Sequence, residues 1–71
     1  MTAAEIAKLH FHEARERCVR DGQDAEAMAR QMLSSVLSFM LETRALADVR
    51  AELLAAADNL DPDMDYMFMR P

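Results

Sequence analysis

Residues that interrupt helices are rare in this chain and occupy only three positions. It contains one Gly, Gly22, and two Pro, Pro62 and Pro71, in 71 residues. Since Gly and Pro are the residues that most disfavour a helix interior, the stretches before and after Gly22 are free to form long helices. The pattern therefore predicts an all-α protein, and the length allows one domain at most.

The first stretch carries signals for both ends of a helix. Thr2 and Glu5 have the spacing of a capping box, in which each side chain bonds to the other residue's backbone N–H. Gly22 stands where a left-handed C-terminal cap requires a residue without a side chain. We therefore expect a helix over about residues 3–20, followed by a turn over 21–24.

The second stretch begins at Asp24, a favourable N-cap, and carries an apolar seam. Seam positions alternate between spacings of three and four residues, as in a coiled coil. Its larger apolar members are Met32, Val36, Phe39, Leu46, Leu53 and Leu60. Because the seam stays in phase throughout, we expect one helix over about residues 25–58. Such a helix would be roughly 50 Å long, about twice what the first helix can cover.

The unequal helix lengths predict a helical hairpin, in a single helical domain over residues 1–60, that dimerises into a four-helix-type bundle. A second copy would supply the core that so short a chain lacks. The alternative is a break near residues 42–45, with Thr43 as a new N-cap. The chain would then form a monomeric three-helix bundle.

Residues 61–71 form a separate acidic tail rich in Met and aromatic residues. Pro62 cannot continue a helix and restricts the residue before it. Beyond it, we expect the acids to steer a partner and the large side chains to anchor it. An equally open alternative is that the tail covers the chain's own helices. The predicted partner-binding residues are Asp63, Asp65, Tyr66, Met67, Phe68 and Met69.

Charge and composition exclude several classes of partner. The net charge of −5 disfavours direct binding of nucleic acid, which requires a basic surface. The longest uncharged run, Gln31 to Leu41, is about half the length of a membrane span. A single cysteine, Cys18, cannot form an internal disulfide. We therefore expect a soluble, cytoplasmic protein without a membrane span.

The sequence predicts no catalytic residues, no metal ligands and no cofactor. His10 and His12 would point about 200° apart on a helix, so one chain cannot direct both at one ion. Cys18 forms a formal pair with a histidine, but a catalytic site also needs a pocket and an oriented base. A dimer could bring two copies of His10 or Cys18 together, which keeps a metal-binding helical dimer as an alternative.

These features favour a small non-catalytic regulator or adaptor that binds another protein through its helical face and its tail. The main alternative is an acidic inhibitor, antitoxin-like or phage-encoded, that competes with nucleic acid for a basic surface. Its candidate residues are the helix acids Glu26, Glu42, Asp48 and Glu52.

Overall fold

The computed structural model describes residues 1–60, and this part of the chain contains three helices and no strand. Helix α1 spans Ala3–Asp21, α2 spans Ala25–Leu41 and α3 spans Leu46–Asp58. The predicted all-α class is confirmed. The expectation of one unbroken helix over residues 25–58 is wrong, and the number of helices is that of the three-helix alternative.

Both ends of α1 are held by the local bonds that the sequence predicts. The Glu5 N–H donates to Thr2 Oγ1 over 3.1 Å, and the Thr2 N–H donates to Glu5 Oε1 over 3.0 Å. At the other end Gly22 is left-handed, with φ 68°. The N–H groups of Gly22 and Gln23 donate to the carbonyls of Val19 and Cys18, which forms a Schellman motif.

Helix α2 begins at the cap that the sequence predicts. The Asp24 Oδ1 atom accepts from the Glu26 N–H over 3.0 Å, and the Asp24 carbonyl accepts the first helical bond from Met28. Glu26 also places a negative charge in the first turn, where the helix dipole stabilises it. The turn between α1 and α2 is therefore short and bonded on both sides.

The chain breaks between α2 and α3 without a Gly or Pro. The Glu42 N–H bonds the Phe39 carbonyl, which is one residue closer than in an α-helix, and Ala45 is then extended at φ −66° and ψ 146°. Ala45, not Thr43, is the N-cap of α3, and no side chain caps this end. The predicted position of the break in the three-helix alternative is right, but its predicted cap residue is wrong.

Interactions beyond the break explain why the helix stops there. The Arg44 guanidinium donates to Glu52 Oε2 over 2.5 Å, a bond that spans eight residues. In an unbroken helix these two residues would lie about 12 Å apart along the axis, so a bond this short favours the turn. Val49, in the first turns of α3, is 2% exposed, and its burial also stabilises the turn.

The chain divides into two compact units at the bond between Ser35 and Val36, inside α2. In the first unit Cys18 is buried, and the half-buried residues are Ala14, Ala25, Met28, Ala29 and Met32. In the second unit Val49 and Ala56 are buried, and the half-buried apolar residues are Leu37, Met40 and Leu53. The buried side chains are all small, so within residues 1–60 neither unit encloses a large apolar side chain completely.

Bilayer spanning needs about 20 consecutive apolar residues. None of the helices within residues 1–60 combines that length with an apolar enough sequence.

Candidate functional site

The predicted tail site lies outside the described residues. Its members, all beyond residue 60, are Asp63, Asp65, Tyr66, Met67, Phe68 and Met69. Docking of this segment onto a partner stays a prediction based on its alternation of acids with large apolar side chains.

The predicted seam does not form one continuous stripe, because the break at residues 42–45 divides it between two helices. Its six members are placed as follows: Met32 and Leu53 are half-buried, while Val36, Phe39, Leu46 and Leu60 are exposed. The seam positions in the second half of α2 are therefore open to solvent. Apolar side chains in this state are available for contact with another chain.

The two histidines of α1 each pair with a glutamate of the same helix. His10 Nδ1 lies 3.3 Å from Glu13 Oε2, and His12 Nε2 lies 3.7 Å from Glu16 Oε1. Glu13 and Glu16 also lie four residues before Arg17 and Arg20, a spacing that allows ion pairs on a helix. Arg17 instead donates to Asp21 Oδ2 over 2.9 Å. These pairs are exposed, so each contributes little to stability.

The structure gives no support within residues 1–60 for a metal centre. No group of three or more His, Cys, Asp or Glu side chains lies close enough there to hold an ion. Cys18 is buried with a free thiol, and a zinc site needs three or four converging ligands. The metal-binding dimer thus has no preformed half-site on the described part of one chain.

The first unit also has a shallow groove that the sequence analysis does not predict. It is open to solvent, and its lining residues are His12, Arg15, Glu16, Val19 and Ala25. The first four occupy positions i, i+3, i+4 and i+7 on one face of α1, a pattern that could have indicated the groove. The groove offers an arginine and a His–Glu pair for polar contacts, but its lining includes no Ser, Thr or Cys that could act as a nucleophile.

Two of the four acids proposed for the inhibitor alternative lie close to basic side chains of the same chain. Glu26 lies 3.6 Å from the Arg30 guanidinium, and Glu52 bonds Arg44 in a partly buried pair. Glu42 and Asp48 are exposed. Two of the four acids thus have a basic neighbour, which reduces the local negative potential that a basic surface would meet.

The N-terminal cap of α1 perturbs one titratable group. The Thr2 N–H and, to a smaller extent, the Thr2 hydroxyl stabilise the charged carboxylate of Glu5 and lower its pKa below the ordinary value of 4.5. This perturbation has a structural cause at an exposed helix end and does not indicate a catalytic group.

Within residues 1–60 the structure therefore brings together no set of side chains with the geometry of a catalytic site. The exposed apolar side chains are the main candidate for a functional surface in this part of the chain. Comparison of the chain with protein-family models, with curated proteins and with solved structures gives no match in any of the three.

Proposed function

We propose that this protein is a small non-catalytic regulator or adaptor of the cytoplasm that acts by binding another protein. One observation carries the proposal: the large apolar seam residues Phe39, Leu46 and Leu60 are exposed, although the part of the chain that the structure describes buries few apolar side chains. Burial of such side chains against a partner is favourable by about 25 cal/mol per Å² of apolar surface. A surface of this kind fits an interaction protein better than an enzyme, which needs an enclosed site.

The tail supplies the second half of the proposed interaction. Asp63 and Asp65 steer the partner, and the anchors are Tyr66, Met67, Phe68 and Met69. Acids on the approach path raise the association rate, whereas buried aromatic side chains slow dissociation. The partner's site is then an apolar groove or sheet edge with a basic rim, and it does not require nucleic acid or a membrane.

The chain also pairs with a second copy of itself in this proposal. Within residues 1–60 the three helices completely bury no large side chain, and small proteins often obtain a missing core by oligomerising. In this proposal the exposed helical side chains serve both self-association and partner binding, and the tail serves partner binding alone.

The tail is tested by comparing three variants in affinity capture from the native host. One lacks residues 62–71, one carries Tyr66→Ser with Phe68→Ser, and one carries Asp63→Asn with Asp65→Asn. The first two should lose the captured partner, while the third should retain it with a slower, less salt-dependent association.

Circular dichroism provides the control for this comparison. All three variants should keep the helicity and the melting temperature of the full chain, because the tail is proposed to contact the partner and not the helices. Loss of the fold on deletion of residues 62–71 would contradict the docking role and assign the tail to the protein's own core.

A further inference from the structure

One face of α2 combines exposure with a complete absence of charge. Leu33, Val36 and Phe39 follow one another at intervals of three residues, so their side chains are neighbours along the helix. They are 49%, 50% and 71% exposed. These three residues are called the α2 face below.

The α2 face lies within Gln31 to Leu41, a run of eleven residues without a charged side chain. The rest of this acidic chain would repel a copy of itself, since its net charge is −5. Close to the axis of a two-fold contact each group lies near its own counterpart, so like charges there would repel and a neutral surface is favoured. A basic partner, by contrast, would gain nothing from a surface that has no acids.

We propose that the α2 face is the self-association surface of this protein, and that the same face of a second copy packs against it. This inference rests on the self-association in the proposed function, assigns it to particular residues and depends on no property of the tail. Ser34, Ser35 and Ser38 flank the face, and their small side chains allow the two helices to approach closely.

The size of the face sets the strength of the pairing. From their exposures, the three side chains offer on the order of 350 Å² per chain, less than half of the roughly 800 Å² per partner in a standard interface. The neighbouring uncharged side chains must supply much of the remainder. A contact smaller than a standard interface predicts a weak dimer.

The symmetry identifies the residue nearest the axis. In a two-fold contact the middle of a three-residue stripe meets its own copy, whether the helices run parallel or antiparallel. Val36 is that middle residue. A cysteine at this position should bring two thiols within reach of a disulfide, for which the Cβ atoms must lie about 3.5–4.5 Å apart.

Sedimentation velocity of the full chain, from low micromolar to hundreds of micromolar concentrations, tests the pairing. The wild-type protein should shift from monomer to dimer over this range. Phe39→Glu should raise the dissociation constant at least about tenfold, because each dimer would hold two buried like charges. The matched control is Leu54→Glu on α3, which replaces a leucine that is 54% exposed and lies off the α2 face; it should leave the dissociation constant unchanged.

Two further measurements separate loss of pairing from loss of folding. A mixture of Phe39→Glu with Phe39→Lys should form a heterodimer that neither variant forms with itself. In a Cys18→Ala background, Val36→Cys should crosslink under mild oxidation, and a cysteine at Leu54 should not. Circular dichroism checks that each variant keeps its helices.

A wild-type chain that stays monomeric at hundreds of micromolar would overturn the proposal. So would equal weakening by Phe39→Glu and Leu54→Glu, or a dimer that forms without the Val36 crosslink. Deletion of residues 62–71 should leave the dimer intact. Failure of the tail to bind a partner would therefore contradict the proposed docking without affecting the dimer, whereas a monomeric chain would contradict the dimer without affecting the docking.

Discussion

Helix α1 and the junction between α2 and α3 are stabilised in different ways. At α1 the bonds are local: Thr2 and Glu5 cap one end, and left-handed Gly22 caps the other. At the junction Ala45 caps α3 without a side-chain bond. There the turn depends on Arg44 reaching Glu52 and on the burial of Val49. Local bonds fix where α1 begins and ends, whereas contacts several residues away decide where α2 stops.

The largest effect on stability is expected at Val49, which is the least exposed of the buried residues within residues 1–60. Val49→Asp would place a charge in an apolar site without a partner, at a cost of about 3 kcal/mol or more. For a chain of this size, that is a large part of the roughly 4–10 kcal/mol expected for the whole fold. Urea denaturation followed by circular dichroism should show the loss.

Leu54→Asp is the matched control for Val49→Asp. It introduces the same side chain into the same helix, at a site that is 54% exposed, so its cost should stay within about 1 kcal/mol. Equal destabilisation by the two variants would show that burial of Val49 does not hold the junction.

Gly22→Ala should give the next largest effect and tests the local side of the comparison. Gly22 has φ +68°, and a Cβ added there would meet no atom within 4 Å. The cost is therefore that of the left-handed backbone alone, about 1–2 kcal/mol, measured by the same denaturation. Gly22→Asn should cost less, because Asn tolerates this conformation better. A loss from Asn as large as that from Ala would point to a cause other than backbone conformation.

Ala45→Ser should stabilise the protein by about 0.5–1 kcal/mol, because it gives α3 the side-chain cap that it lacks. Ala45 is already extended, as an N-cap must be, and a serine hydroxyl there can accept from the Ala47 N–H, since the Asp48 N–H already donates to the Ala45 carbonyl over 3.1 Å. The opposite change, Thr2→Ala, should cost about 1 kcal/mol at the capped end of α1. The melting temperatures of the two variants should move in opposite directions. A fall in both would mean that the junction does not behave as an ordinary N-terminus.

The difference between the two regions explains how much could be predicted from the sequence. Thr2, Gly22 and Asp24 were correctly assigned because each acts on backbone within a few residues of itself. The break is predicted only as the alternative, because the seam stays in phase through it and because Arg44 and Glu52 are eight residues apart. The exposure of Phe39 could not be predicted either, since periodicity shows which face of a helix is apolar but not which chain covers that face.

The smallest expected effect is a pH dependence at the cap of α1. Bonds from Thr2 lower the pKa of Glu5 below 4.5, so the folded state binds this proton less tightly than the unfolded state does. The stabilisation is therefore complete above about pH 4.5 and is lost as the pH falls through the lower, folded pKa. Carboxyl NMR titration should give a value below 4.5. The non-titrating variant Glu5→Gln, which keeps the capping geometry, should lack this part of the acid dependence. A Glu5 pKa at or above 4.5 would mean that the capping box is open in solution. The contrast between a locally capped α1 and an uncapped α3 would then be wrong.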